Sequence, residues 1–429
     1  MTRRYRWWIG GLLFASTVIN YLDRQTLSVL GPYLKTDFRW SNQDFALVVI
    51  SFRVAYAIGQ AFSGRLLDRF GVRRGLSVAV TWYSLVAMLT PLANGLWGFC
   101  TFRFLLGSGE AANWPAATKA VGEWFPRRER GWAVALFDSG SSVGAAIAVV
   151  LVPFLYRVFG GWRPVFLVVG VLGFFWVLIW RRVYQPPEQK PGLHPDELRL
   201  ILDDRAAERN ATPQVPRADE GPVGMRRLLS FRQTWGAIAA RGLTDPVWYM
   251  IADWFAIYLV SKGFRIEDTV AGFWIPFLGA DLGNFFGGGV SSALIRRGWP
   301  VGRARKAVFV GGTFGVLALI PAAFLSGLPA LVTCFAIATF SYAAMSTMAL
   351  ALPADLFESR AVASVAGMSG AAAGLGTIAS TFAIGVVADR FSFTPILVVA
   401  SLVPCAAALV VVALVRNTSA SGRGIVKAV

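Results

Sequence analysis

The sequence predicts an all-α membrane protein of twelve transmembrane helices, arranged as two six-helix bundles related by a pseudo-two-fold axis. Three observations lead there. Of the 429 residues 55% are hydrophobic and only 15% charged, whereas a soluble domain carries about 25% charged residues. Hydrophobic runs of roughly 20 residues recur along the chain, each able to cross ~30 Å of hydrocarbon. The runs mix Gly, Ala, Leu and Val in helical fashion, without the period-two alternation of a membrane barrel.

Six spans fill the first half, at residues 7–32, 44–66, 75–94, 96–118, 130–154 and 163–183. The first follows Arg3, Arg4 and Arg6, as the core of a signal peptide would. Asp23 and Arg24 interrupt it and no small-residue cleavage site follows, so the segment is expected to stay. Residues 184–234 break the pattern with Pro186, Pro187, Pro191 and Pro195, then charge, and are expected to form a cytoplasmic linker with one amphipathic helix near 195–209. Six more spans follow at 235–260, 269–294, 306–327, 329–352, 361–386 and 393–415. The expected domains are therefore an N-terminal bundle at 1–183, the linker at 184–234 and a C-terminal bundle at 235–429.

The halves echo each other. Glu123-Trp124-Phe125-Pro126-Arg127-Arg128 follows the fourth span and Asp355-Leu356-Phe357-Glu358-Ser359-Arg360 the tenth, with Phe125 and Arg128 matching Phe357 and Arg360 at one common offset. A repeat of this kind in a twelve-span chain points to a transporter whose two bundles rock around a midplane site. Lys and Arg crowd the termini and alternate loops, leaving only Lys35, Arg39, Arg157, Arg163, Lys262, Arg265 and Arg390 in the opposite loops. Both termini are thus expected in the cytoplasm, with the chain in the inner (plasma) membrane. The net charge of +17 is mostly this topological signal. Basic residues scattered over separate loops do not make a nucleic-acid face. Cys100, Cys334 and Cys405 all fall in apolar spans and read as buried thiols, with no metal or disulfide spacing. The single histidine, His194, lies in the linker and cannot carry protons within the membrane.

Gly64-Arg65-Leu66-Leu67-Asp68-Arg69-Phe70-Gly71-Val72-Arg73-Arg74 follows the second span. Gly64 permits close helix approach, Asp68 can cap or pair at a helix end, and Arg69 and its neighbours hold the cytoplasmic face. This run resembles the loop 2–3 signature of the major facilitator superfamily, which implies gating roles for Gly64, Asp68 and Arg69. The matching stretch of the second half, Gly288 to Gly298, keeps Arg296 and Arg297 but has Ser292 where the acid would be.

Four charges lie inside spans: Asp23 and Arg24 in the first, Arg103 and Glu110 in the fourth. An ionised side chain near the bilayer centre costs at least ~2.5–3.5 kcal/mol even on lenient scales, so such groups are functional candidates. Arg103 and Glu110 are seven residues apart, about two turns along one helical face, and Asn113 follows a turn later. Asn20-Tyr21-Leu22-Asp23-Arg24, Arg103 to Pro115 and Phe52 to Gln60 together resemble the anion:cation symporter branch of that superfamily. Leu243-Thr244-Asp245-Pro246-Val247-Trp248, Asp281-Leu282-Gly283 and Ser291-Ser292-Ala293-Leu294 point to its hexuronate and galactonate carriers. The resemblance implies that Asp23 and Glu110 are the proton-linked pair. It implies further that Arg24 and Arg103 contact a substrate carboxylate or pair with the acids, and that Tyr56 lines the cavity. Tyr21 and Asn113 complete the candidate binding set.

Elementary electrostatics agrees. A carboxylate beside arginine stays ionised, and an arriving anion that competes for the arginine favours its protonation. Anion and proton binding are then coupled reciprocally, and the planar, permanently charged guanidinium suits that competition. A static Asp–Arg pair that merely fixes helix register is the bland alternative.

Arg53, one turn before Tyr56, adds an embedded arginine where relatives usually carry an uncharged residue. It either reads a second acidic group, making the substrate a dianion such as a sugar diacid or sulfonate-carboxylate, or pairs with Asp253. The expected activity is import of a small organic anion with protons by alternating access, sodium being the open alternative for the coupling ion. Export of an anionic metabolite or drug is the competing reading. Nothing in the sequence forms a nucleophile–base pair, phosphate loop or metal cluster, so an enzyme is not expected, nor any cofactor. The expected partners are the lipid bilayer and a small anionic substrate, with the chain acting as a monomer.

Overall fold

The computed structural model describes residues 4–40, 42–210, 223–264, 270–390, 392–415 and 426. Among them every regular element is helical, apart from an isolated bridge between Phe357 and Val426. The first helices are α1 (Tyr5–Phe38), α2 (Asn42–Leu89), α3 (Leu96–Glu110), α4 (Asn113–Trp124), α5 (Arg127–Phe159) and α6 (Arg163–Val183). The linker region holds α7 (Pro195–Asn210) and α8 (Met225–Leu229). There follow α9 (Arg232–Ser261), α10 (Val270–Arg296), α11 (Val301–Val316), α12 (Leu319–Phe324), α13 (Leu328–Leu356), α14 (Ser359–Arg390) and α15 (Phe393–Leu414). Seven stretches among the described residues are helical, long and apolar enough to cross a membrane, the longest being Leu47–Leu92.

Two departures from the expected spans have local causes. The second and third spans run together as α2, bent at Gly71, whose φ of 76° and ψ of 159° lie where only glycine sits without strain. The fourth span is broken into α3 and α4 directly after Glu110. Pro115 has no N–H to offer the Ala111 carbonyl four residues back. Ser63 of α2 donates its hydroxyl to that carbonyl at 3.4 Å instead.

The chain divides into two compact units. Unit 1 comprises Met1–Phe125, Leu136–Asp204 and Ser359–Gly367; unit 2 comprises Pro126–Ala135, Arg205–Glu358 and Met368–Val429. The start of α5 therefore belongs to unit 2 and the start of α14 to unit 1. In unit 1, α2 packs on α3, α4 and α6, and α1 on α4 and α6. Most of α5 lies against α1, because Gly140 and Gly144 leave no Cβ to strike the carbonyls of Phe14 and Val18. In unit 2, α13 packs on α9, α10 and α11, and α15 on α9 and α11.

The helix expected near 195–209 is α7, and it is tied to the start of α1. Glu197, 3% exposed, accepts the backbone N–H groups of Tyr5 at 2.8 Å and Arg6 at 3.0 Å, and Arg6 Nη1 at 2.8 Å. A carboxylate on the first N–H groups of a helix both satisfies them and opposes the positive end of its dipole.

Candidate functional site

All four embedded charges come together inside unit 1. Arg24 of α1 donates through Nε to Glu110 Oε2 at 2.6 Å, with the Glu110 side chain fully buried and that of Arg24 13% exposed. Three rings surround the same guanidinium: Tyr56 at 4.4 Å, Tyr21 at 4.9 Å and Phe52 at 5.1 Å from their centroids. Phe52 also receives Arg103, at 4.6 Å, so both guanidinium groups lie against one ring. Cation–π contacts of this kind strengthen when water is excluded.

Asp23 is 3% exposed and Arg103 5%. Both feel the charge of Glu110 and of each other, and Arg103 feels Arg24 as well. Asp23 Oδ2 and Arg103 Nε and Nη1 have no hydrogen-bond partner among the described residues. Buried charges left this way are costly, so the site holds unspent hydrogen-bonding capacity for a ligand or for water. Two acids and two guanidinium groups balance, and one added anion unbalances them by a single charge.

The remaining candidates are placed as follows. Asn113 is given to α1: its Oδ1 accepts Ser16 at 2.6 Å and its Nδ2 donates to Thr17 at 3.2 Å. It is a brace between α4 and α1. Arg53 is half-buried on α2, and the Asp253 side chain lies outside the described residues. Ser16, Asn20 and Asp23 share one face of α1, with spacings of four and three residues. Asn20 and Tyr83, both fully buried, face the carboxylates. Asn20 heads the run that ends at Arg24, whereas Tyr83 lies outside every motif, because an isolated Tyr in an apolar run carries no pattern.

The loop signature folds into a second cluster of unit 1. Asp68 accepts the backbone N–H of Ser364 at 2.8 Å, its hydroxyl at 2.6 Å, the N–H of Ala363 at 3.3 Å and Lys119 Nζ at 2.9 Å. Gly64 lies against the Ala363 carbonyl, where a Cβ would collide. Arg69 takes no part in this: it is exposed and lies over Phe70. Lys119 went unrecognised because the fourth span was expected to end at 118, whereas α4 runs on to Trp124.

Unit 2 holds a buried acid on α13, Asp355, the counterpart of Glu123 in the repeat. Asp355 accepts Arg130 Nη1 and Arg305 Nε, both at 2.9 Å, with all three side chains at most 1% exposed. Arg305 also donates to the Ser291 hydroxyl at 2.8 Å and the Arg127 carbonyl at 3.1 Å.

Comparisons with known proteins agree with this architecture. The profile of the Major Facilitator Superfamily matches residues 13–304. The hexuronate transporter of Escherichia coli K12 is 30% identical over 423 residues, covering 97% of this chain and 95% of that protein. The D-galactonate transporter of Escherichia coli O6:H1 is 30% identical over 421 residues, covering 96% of each. Among solved structures, the proton:xylose symporter XylE superposes with a TM-score of 0.76 over 99% of both chains at 15% identity, which speaks for the fold. A matching family profile and relatives over the whole length converge: the chain belongs to the Major Facilitator Superfamily and is a multi-pass membrane transporter.

Proposed function

We propose that the protein imports a small organic anion of the hexuronate or aldonate type together with a proton, by alternating access through twelve crossings of the inner membrane, both termini being cytoplasmic. The single observation that carries this reading is the Arg24–Glu110 pair: an arginine hydrogen-bonded to a buried carboxylate and wrapped by Tyr21, Phe52 and Tyr56. A substrate carboxylate takes Arg24 in a two-pronged contact and releases Glu110. Deprived of its counter-charge in a dry environment, Glu110 then takes a proton. Asp23 and Arg103 beside it hold the second proton-linked acid and the second anion contact. Release of Ser364 by Asp68 is the gating step, with Gly64 allowing the close approach. The names of the whole-length relatives support a sugar acid as cargo.

Uptake of labelled galacturonate by cells expressing the protein tests this. Accumulation is expected to collapse on adding a protonophore and to persist when sodium is replaced by potassium. Accumulation that follows the sodium gradient and ignores the protonophore would refute the coupling.

A further inference from the structure

Unit 2 contains a buried polar group that the reading above leaves unused. Arg241, Asp245 and Trp248 lie on one face of α9, four and three residues apart. Arg241 donates Nε at 3.2 Å and Nη2 at 2.9 Å to Asp245 Oδ2, while the Tyr342 hydroxyl donates to Oδ1 at 3.1 Å. Asp245 is 6% exposed and Tyr342 7%. Trp248 stacks on Tyr342 with centroids 5.7 Å apart at 12°, and Phe277 closes its edge at 5.6 Å.

The internal repeat gives this cluster a counterpart. Leu96–Trp124, the run of α3 and α4, and Leu328–Leu356, which is α13, have equal length and the same offset that matches Phe125 with Phe357. Glu110 is the central residue of the first and Tyr342 of the second. Each bonds to the first long helix of its half: Glu110 accepts from Arg24 of α1, and Tyr342 donates to Asp245 of α9. The link keeps its place in the repeat and reverses its polarity.

That reversal changes what the site can do. In unit 1 the acid and the arginine are on different helices, and an anion can part them. In unit 2 both are on α9, so they move together as a fixed donor beside a fixed acceptor. A phenol at the Glu110 position takes up no proton near neutral pH. We propose that Arg241, Asp245, Trp248 and Tyr342 form a second binding subsite, which reads the vicinal hydroxyls of a sugar acid. One hydroxyl donates to Asp245 and its neighbour accepts from Arg241, while the C–H face of the sugar rests on the indole. An embedded ion pair of no use to ligand would be weak as a stabiliser, since well-packed apolar residues do as well. The proposal rests on the sugar-acid reading of the preceding subsection and adds which residues recognise the sugar.

Calorimetric titration of the purified full-length protein with galacturonate and with cyclohexanecarboxylate, a similar acid lacking hydroxyls, tests it. Tyr342→Phe and Asp245→Asn are each expected to weaken galacturonate binding roughly 10- to 100-fold, the loss expected for one or two buried hydrogen bonds. Cyclohexanecarboxylate affinity is expected to stay within about two-fold, well inside the spread of a single contact. Because Tyr342→Phe removes only an oxygen, it guards against misfolding of the Asp245 variant. Equal weakening of both acids, or no weakening of galacturonate, would overturn the subsite. A wild type that binds neither acid would instead sink the sugar-acid reading itself.

Discussion

Replacing Glu110 with glutamine should abolish proton-driven accumulation while sparing exchange. In Glu110→Gln the amide keeps the shape of the acid and an oxygen acceptor for Arg24 Nε, so the 2.6 Å contact can be retained in neutral form. It cannot bind and release a proton. The substrate can then still load and cross, and preloaded vesicles should continue to exchange unlabelled for labelled galacturonate. Net uptake against a gradient should fall to equilibration, a loss on the order of tenfold per pH unit of imposed gradient. The fixed-pair alternative leads to the opposite outcome. If Glu110 served only helix register, the variant would lose stability and keep its response to the pH gradient. A gradient-driven Glu110→Gln protein would therefore leave the pair with a structural role.

The second large effect is on stability. Asp355→Ala leaves Arg130 and Arg305 as buried cations at most 1% exposed, each stripped of its carboxylate. Breaking a buried pair in this way costs about 3–5 kcal/mol, whereas replacing all members by apolar residues of similar volume is often neutral. The single variant should therefore melt well below the wild type in detergent. The triple variant Arg130→Met, Arg305→Met, Asp355→Leu should recover most of the loss. Arg69→Ala should leave melting unchanged, because Arg69 is exposed. A single variant as stable as the wild type would show that the triad contributes nothing to unit 2.

What the sequence revealed of this site, and what it hid, follows from how each residue is marked. Asp23, Arg24, Arg103 and Glu110 announce themselves because charge in an apolar run is expensive. Their meeting in one place follows from the seven-residue spacing of Arg103 and Glu110 on α3 and from Arg24 of α1 reaching Glu110 at the end of that helix. Phe52 could not be found that way: one phenylalanine in an apolar helix resembles any other, and only the fold sets both guanidinium groups against it. Asn113 lies on the face expected, and its amide bonds Ser16 and Thr17 of α1, a pairing that no spacing in the sequence announces.

Aligned position marks Asp355 as the counterpart of Glu123, at the offset that pairs Phe125 with Phe357, but its burial between Arg130 and Arg305 shows only in the fold. Tyr342 occupies the place of Glu110 in the repeat, but the change from carboxylate to phenol hid the correspondence until its bond to Asp245 was seen. The break after Glu110 was legible in principle, from Pro115 and the Ala111 carbonyl it strands. A span drawn as one apolar window smooths such a break away.

In the proposed mechanism an acidic guest and a proton bind in concert because both act on Arg24 and Glu110. Proton uptake from a weakly buffered detergent solution, recorded as galacturonate is added to the purified protein, tests it most directly. The wild type is expected to take up about one proton per anion bound, as reciprocal coupling requires, and Glu110→Gln none. Saturable binding of galacturonate to the wild type with no change in proton content would contradict it.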